Sequence, residues 1–276
     1  KSGVTVGAEK AYKAARARGL PRLFFVGKLD SEHADYDKVL DTLTASFGAG
    51  VCPVIAPHVV NHKVEYYVNL VTGRAVTYQG GKASETKADL SLFADRLAQL
   101  DEAVAGVDEE LMEQFFDAGS LSPEERSRGL KTGLCSGELM PVFCGAGGTM
   151  QGVDLLLDGI SEYLPSAAEA AGESATNAQG EPVELKVEDN GPLAAIVFKT
   201  IADPFVGKLS YFKVVSGKLS SDSQVVNART LGIERIGKVM VVRGGKQEDA
   251  SYIGAGDIGA VAKLAGVVTG DTLTSQ

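Results

Sequence analysis

Apolar residues near the start of the chain switch between helical and strand spacing. Residues 8–18 have a helical composition that ends at Gly19, and residues 23–26 form an apolar run of strand length. Helical spacing then returns at Tyr36, Val39, Leu40, Leu43 and Phe47. Helix, strand and helix in this order predict an α/β domain built on a parallel sheet.

The pattern changes at about residue 48 and resumes at about residue 138. Between them we predict strands at 54–55, 64–71 and 75–78, and helices at 88–105, 109–117 and 123–132. The last helix begins with a capping signature, Ser122 followed by Glu125. A second buried strand at 139–144, a glycine-rich loop and an amphipathic helix closed by Pro165 then follow. Residues 48–137 are therefore predicted to be an inserted subdomain.

Helical spacing disappears after about residue 191. Short strands are predicted at 194–201, 208–215, 224–226, 236–242, 258–262 and 272–273. Six or seven short strands separated by Gly, Ser and Asp turns are typical of a small closed barrel. Residues 167–180 show no apolar periodicity. The prediction is an α/β domain at 1–47 and 138–172, the insertion at 48–137, a linker at 173–190 and an all-β barrel at 191–276.

The net charge of −9 conceals an uneven distribution. Residues 85–125 hold twelve acidic residues against two basic ones, whereas residues 191–276 hold ten basic residues against seven acidic ones. These two segments of the chain therefore suit partners of different charge.

Composition also bears on the compartment. The longest apolar runs are far shorter than the roughly 18 residues that cross a bilayer, so we expect no membrane span. The first residues show no signal-peptide pattern. Cys52, Cys135 and Cys144 are odd in number and lack a C-x-x-C spacing, which favours buried free thiols in a reducing cytoplasm.

Two loops that follow the buried strands carry the candidate chemistry. Residues 27–30 read Gly-Lys-Leu-Asp, in which the Asp carboxylate can accept from two N–H groups on a guanine edge while the Lys stem covers the ring. Residues 144–147 read Cys-Gly-Ala-Gly and offer backbone N–H groups. A surface Lys and a helix-capping Asp explain the first loop equally well alone. Because parallel strand ends share one sheet edge, the pair favours a guanine site.

The sequence predicts no catalytic residue and no metal site. It contains no G-x-x-x-x-G-K-[ST] loop to hold phosphates, since Gly80, Gly81 and Lys82 lack the spacing, and no Asp-x-x-Gly for the metal side. His58 and His62 have i, i+4 spacing, but the strand pattern there argues against a helical zinc site. The chain alone is expected to bind no nucleotide tightly and to hydrolyse none.

Several strings resemble translation elongation factor G over essentially the whole chain. The first part shares the strand followed by x-Lys-x-Asp, the long insertion, and the Pro-Val-Phe-Cys-Gly and Gly-Val-Asp-Leu-Leu-Leu-Asp segments. The barrel shares Asp-Pro-Phe-Val-Gly-Lys-Leu at 203–209, Ala-Gly-Asp-Ile at 255–258 and Thr-Gly-Asp-Thr-Leu at 269–273. The resemblance implies the C-terminal part of a P-loop GTPase domain with an inserted α+β subdomain, followed by the barrel of domain II.

The resemblance also implies roles for single residues. Lys28 would stack on guanine, Asp30 would bind its edge, and backbone amides at Ala146 and Gly147 would reach its carbonyl. Gly27 departs from the Asn of the family, which removes hydrogen bonds worth about 1 kcal/mol each. Ala146 stands in place of the family's Ser and Gly147 in place of its Ala, and the three departures together indicate a divergent paralogue.

The implied cofactors are GTP or GDP with Mg²⁺ in the parent protein. The implied partners are ribosomal RNA and ribosomal proteins, including a stalk protein that the acidic helix at 88–105 would contact; we expect a monomer and no membrane. The first hypothesis is a GTPase for ribosomal translocation or recycling. The alternatives are a ribosome protection factor of the tetracycline-resistance type and a non-catalytic ribosome- or protein-binding module.

Overall fold

The computed structural model of the protein describes residues 3–170, 172–203 and 207–275. The chain divides into two units, Lys1–Leu164 and Pro165–Gln276. Among the described residues, no helix has both the length and the apolar composition needed to cross a membrane.

The first unit alternates helices and strands, with a run of consecutive strands in the middle. Its elements are α1 (Val6–Ala17), β1 (Phe24–Val26), α2 (Tyr36–Phe47), β2 (Val51–Pro53), β3 (Ile55–Val60), β4 (Lys63–Asn69), β5 (Arg74–Gln79), β6 (Lys82–Lys87), a 3₁₀ helix (Leu90–Phe93), α3 (Ala94–Ala105), α4 (Glu109–Ala118), α5 (Pro123–Ser136), β7 (Met140–Cys144) and α6 (Val153–Tyr163).

A three-stranded parallel sheet lies at the centre of this unit, in the order β1, β7, β2. Strand β7 is buried along its whole length, as expected for a central parallel strand covered on both faces. Helix α2 begins at Asp35, whose side chain accepts from Lys38 N–H at 3.0 Å, and ends at Gly48 with φ of 99°. The predicted α/β pattern with a parallel sheet is confirmed.

The insertion differs from its predicted bounds because its first residues belong to the parallel sheet. Strand β2 pairs in parallel with β7, with Val51 opposite Met140, so the inserted segment begins after Pro53 rather than at residue 48. Strands β3 to β6 form an antiparallel sheet joined to β7 through Val54, whose N–H donates to Val142 O at 2.9 Å. Buried residues of both sheets and of α3 to α5 form one continuous core.

The helices of the insertion are fixed by caps and by a buried ion pair. The predicted capping box of α5 is present, with Ser122 Oγ accepting from Glu125 N–H and Glu125 accepting from Ser122 N–H. The predicted helix at 88–105 is interrupted, because Asp89 caps the short 3₁₀ helix before α3. Arg126 donates to both carboxylate oxygens of Asp101 at 2.5 and 2.9 Å, which ties α5 to α3.

The second unit is built from strands. They are β8 (Glu173–Thr176), β9 (Pro182–Leu185), β10 (Ala194–Asp203), β11 (Gly207–Ser216), β12 (Leu219–Ser220), β13 (Gln224–Asn227), β14 (Ile233–Arg235), β15 (Val239–Arg243), β16 (Lys246–Ala250), β17 (Tyr252–Ile253), β18 (Ile258–Ala262) and β19 (Thr272–Thr274). Eight of them form one sheet in the order β14, β13, β19, β10, β11, β18, β15, β16. This barrel-like sheet confirms the predicted all-β class. Residues 204–206 of the Asp-Pro-Phe-Val-Gly string lie outside the described residues.

The stretch predicted as a linker at 173–190 contains a β-hairpin instead. Strands β8 and β9 pair antiparallel, with Glu173 opposite Leu185. The turn is held by Asn177, whose Oδ1 accepts from Gln179 and Glu181 N–H groups at 3.0 and 2.9 Å. Most of the hairpin's side chains are exposed, so the sequence has no apolar periodicity there that would predict it.

A buried carboxylate stabilises the end of the barrel-like sheet. Asp271 is 3% exposed and accepts from Arg229 Nε at 2.6 Å, Asn227 Nδ2 at 2.7 Å and Val268 N–H at 2.9 Å. The hydrogen bond from Arg229 is the main cause that holds the pKa of Asp271 well below its usual range. The Asp of the Thr-Gly-Asp-Thr-Leu string therefore has a structural role.

Candidate functional site

The two candidate loops leave neighbouring strands of the parallel sheet at the same edge. Val26 at the end of β1 lies opposite Cys144 at the end of β7. Gly145 N–H donates to Val26 O at 3.1 Å, and Leu29 N–H donates to Gly145 O at 3.2 Å. The structure therefore brings Lys28 and Asp30 together with the glycine-rich loop, as their positions after the strands predicted.

The first loop presents two charged side chains on a buried anchor. Leu29 is buried, whereas Lys28 and Asp30 are exposed. Neither charged side chain makes a hydrogen bond or ion pair within the described ranges. Lys28 has φ of 63°, a left-handed conformation that costs a non-glycine residue about 1–2 kcal/mol. Strain of this kind is concentrated at functional sites.

Gly27 occupies a position that does not require glycine. Its φ is outside the left-handed region, and a Cβ there would lie 3.6 Å from the Phe25 ring, an ordinary contact. The Cβ of an Asn would therefore fit. The backbone conformation and the packing at position 27 therefore do not explain why glycine stands there in place of the family's Asn.

The glycine-rich loop uses one of its two predicted donors internally. Ala146 N–H donates to Gln151 O at 2.8 Å, and Thr149 N–H donates to Ala146 O at 3.2 Å. The Ala146 amide is therefore not available to a ligand, contrary to the expectation for Ala146. In the turn between these bonds, Gly147 and Gly148 are exposed, and their N–H groups make no hydrogen bond to any described residue.

Gly148, unlike Ala146, adjoins the first loop with an N–H that bonds to no described residue. A Cβ on Gly148 would lie 3.6 Å from Asp30 Oδ2, so the carboxylate of the first loop adjoins the backbone of the second. The crevice edge thus combines a free carboxylate with two free amide donors. No sequence signal distinguished Gly148 from Ala146, because the distinction depends on the hydrogen bonds of the turn.

Two other glycines of this loop are required by close packing. A Cβ on Gly145 would lie 2.3 Å from Gln151 O, and a Cβ on Gly152 would lie 2.4 Å from Cys144 O. Gly152 also has φ of 74°. The loop from Cys144 to Gly152 therefore contains two glycines that its shape requires and two, Gly147 and Gly148, that leave its outer face open.

The cysteines and histidines do not form a further catalytic or metal centre in the described part of the chain. Cys144 is buried, its thiol donates to Ile55 O at 3.2 Å, and burial raises its pKa, so it is a poor nucleophile. Cys52 is also buried, whereas Cys135 is exposed on α5, which corrects the expectation of three buried thiols. His58 stacks on Tyr66 with ring centroids 4.5 Å apart, and the described residues contain no metal-binding cluster.

The acidic surface is shared between α4 and the predicted helix at 88–105, where Asp89, Asp95 and Glu102 are exposed. Of the acids on α3, Asp101 is buried against Arg126. Helix α4 exposes Glu109, Glu110, Glu113 and Asp117, together with Phe116, whose side chain is 76% exposed.

Comparison with known proteins gives a family for the second unit and a fold for the whole chain. Residues 192–276 match the family model for elongation factor G domain 2. A crystal structure of a protein from Thermus thermophilus matches with a TM-score of 0.80 and 27% sequence identity. That match covers 100% of this chain and 39% of the Thermus chain, so this sequence spans about two fifths of that protein's length.

Proposed function

We propose that this chain, which is similar to the central part of elongation factor G and carries its second domain, supplies the guanine-reading loops of a translational GTPase. The observation that carries the proposal is the crevice edge, where the unpaired Asp30 carboxylate adjoins the unpaired amides of Gly147 and Gly148. Lys28 supplies the aliphatic stem that covers the ring.

The donors and acceptors of this edge complement guanine. The ring N1–H and the exocyclic amino group of guanine are donors that suit a carboxylate, and its six-position oxygen is an acceptor that suits backbone N–H groups. Adenine has an amino donor at the six position and no donor at N1, so it would leave both sides of the site unpaired. Unpaired polar groups of this kind give strong discrimination between ligands.

Phosphates and Mg²⁺ have no ligands that can be named in this sequence. It contains no phosphate-binding loop, and the described residues hold no cluster suited to a metal. We therefore propose that GTP or GDP with Mg²⁺ is bound by the full-length protein, and that this chain alone contributes recognition of the base. Hydrolysis is assigned to the full-length protein.

The proposed partner is the ribosome, with the factor acting as a cytoplasmic monomer in translocation or recycling. Support comes from the domain family of residues 192–276 and from the uneven charge of the two units. The acidic surface of α3 and α4 is suited to a basic protein partner such as a stalk protein, with Phe116 as an exposed apolar contact. Residues 191–276, which hold ten basic residues against seven acidic ones, suit ribosomal RNA of the small subunit.

The direct experiment is ribosome-stimulated GTP hydrolysis by the full-length protein. We expect stimulation by ribosomes, and a Glu109→Lys, Glu113→Lys double variant to reduce it several-fold, because the charge of the docking surface is reversed. Asp41→Lys, Glu65→Lys makes the same charge change at two other exposed acids of this unit and serves as the control. Absence of ribosome stimulation in the wild-type protein would contradict the proposal.

A second candidate is a non-catalytic ribosome-binding module, which Gly27 specifically favours. The same protein would then bind ribosomes without binding GDP. A full-length protein that co-sediments with ribosomes but shows no GDP binding at millimolar concentration would select this candidate. A ribosome protection factor would bind GDP and also release tetracycline from ribosomes.

A further inference from the structure

The inserted sheet reaches the glycine-rich loop through Tyr78 on β5. The Tyr78 hydroxyl donates to Asp154 Oδ1 in the first turn of α6. The chain separation between Tyr78 and Asp154 is 76 residues, so this contact joins the insertion to the α/β part of the unit.

Helix α6 begins at a residue that cannot carry a capping side chain. Gly152 is the N-cap of α6 and provides no side-chain cap, and a Cβ there would meet Cys144 O at 2.4 Å. A capping Ser or Asp is therefore excluded at that position, although helix N-termini need acceptors for their free N–H groups. Tyr78 holds the first turn of α6 from a different strand, through the Asp154 side chain.

A second tyrosine packs behind the first. Tyr67 lies edge-on to Tyr78, with ring centroids 5.8 Å apart and an interplanar angle of 80°. It is 1% exposed, and its hydroxyl has no hydrogen-bond partner among the described residues. Burial raises the pKa of Tyr67, and Cys144 and Asp30 raise it further, which agrees with a position beneath both strand ends.

We propose that Tyr78 is a positioning residue for base recognition, which holds the glycine-rich loop so that the Gly147 and Gly148 amides face the six-position oxygen of guanine. This inference rests on the guanine site proposed above. The insertion then has a second role besides presenting an acidic surface, because one of its strands sets the geometry of the base-reading loop. Tyr78 does not touch the base and acts through Asp154, in the first turn of the helix that follows the loop.

The test separates contacts to the six-position oxygen from general stability. GDP and 6-thio-GDP, which keeps N1–H and the amino group but carries sulfur, a much weaker acceptor, in place of that oxygen, are titrated into the full-length protein and its Tyr78→Phe variant. We expect the variant to bind GDP about fivefold to tenfold more weakly, as for one lost hydrogen bond, and to bind the analogue within about twofold of wild type. Asp154→Ala removes the acceptor of the Tyr78 proton and should reproduce this selective loss if Tyr78→Phe does not fold.

Two controls make the result specific. Thr44→Val also removes a part-buried hydroxyl, which donates to Leu40 O at 3.1 Å within α2, and should not change GDP affinity. Asp154→Asn keeps an acceptor oxygen and should retain wild-type discrimination. Equal losses for both nucleotides in Tyr78→Phe would overturn the positioning role. A wild-type protein that binds neither nucleotide would overturn the guanine site itself.

Discussion

Asp30 and Asp271 both belong to sequence strings that resemble elongation factor G, yet their side chains differ in exposure and in hydrogen bonding. Asp30 is exposed and has no partner among the described residues. Asp271 is buried and accepts hydrogen bonds from Arg229, Asn227 and Val268. A carboxylate that folding leaves unpaired is available for a ligand, whereas one with every neighbour satisfied is committed to stability.

The surroundings of the two residues differ in the same sense. Next to Asp30 lie a strained Lys28 and two glycines with unused amides, features that contribute little to folding. Next to Asp271 the backbone of a turn and two side chains converge on one carboxylate. Among polar residues of motifs shared with a family, one that makes no hydrogen bond within the fold is thus the better candidate for ligand binding.

The largest effect is expected at the buried carboxylate. Asp271→Ala should lower the unfolding free energy of the second unit by about 2–3 kcal/mol, because Asn227 Nδ2 and Val268 N–H lose their acceptor in a buried site. Denaturant unfolding followed by circular dichroism measures this loss. A change below about 0.5 kcal/mol would show that the network is not structural.

The pH dependence of the second unit follows from the same residue. The pKa of folded Asp271 is lowered below the usual value of about 3.9, so its stabilising contribution is fully present above that pH. The contribution is lost as the pH falls through the acid range towards the folded pKa. Asp271→Asn should therefore flatten the acid limb of a stability profile, and an unchanged limb would contradict this assignment.

The next effect is expected at the exposed carboxylate and concerns binding alone. Asp30→Ala in the full-length protein should weaken GDP binding about 10-fold to 100-fold, since hydrogen bonds to a charged group are worth about 1.5–3 kcal/mol. Stability should stay within about 0.5 kcal/mol of wild type because Asp30 has no partner to lose. Calorimetric titration and thermal unfolding of the same samples separate the two effects.

A smaller gain is expected at Gly27. Gly27→Asn should strengthen GDP binding about fivefold, the effect of one restored hydrogen bond, and the Cβ has room beside Phe25. Gly27→Ala, which adds the Cβ without the amide, is the matched control and should leave the affinity unchanged. If both variants bind alike, the missing Asn side chain has no part in base recognition.

The sequence predicted those parts of the fold that depend on local spacing. The alternation around β1 and β7, the capping box at Ser122 and the all-β second unit all come from periodicity or turn residues near each other in the chain. Strand β2 was missed because it is three residues long, contains Pro53 and follows two glycines, so it shows no strand periodicity. The β8–β9 hairpin was missed because turn hydrogen bonds of Asn177 hold it rather than an apolar face.

The site was predicted in part for the same reason. Lys28 and Asp30 follow a strand at a recognisable spacing, so their positions could be inferred from the sequence. The Ala146 N–H is bonded within the turn and the Gly148 N–H is not, which only the structure of the turn could show. The proposed contribution of Tyr78 depends on a contact between residues 76 positions apart in the chain. Neither feature has a local signal.

The most direct test of the guanine site exchanges the ligand together with the residue. Xanthosine diphosphate has an oxygen at the two position where GDP has an amino group, so it suits an amide donor in place of the carboxylate. GDP and xanthosine diphosphate should be titrated into the full-length protein and its Asp30→Asn variant. We predict that the wild type prefers GDP and that the variant prefers xanthosine diphosphate; a variant that keeps the wild-type preference would contradict the assignment of Asp30 to the guanine edge.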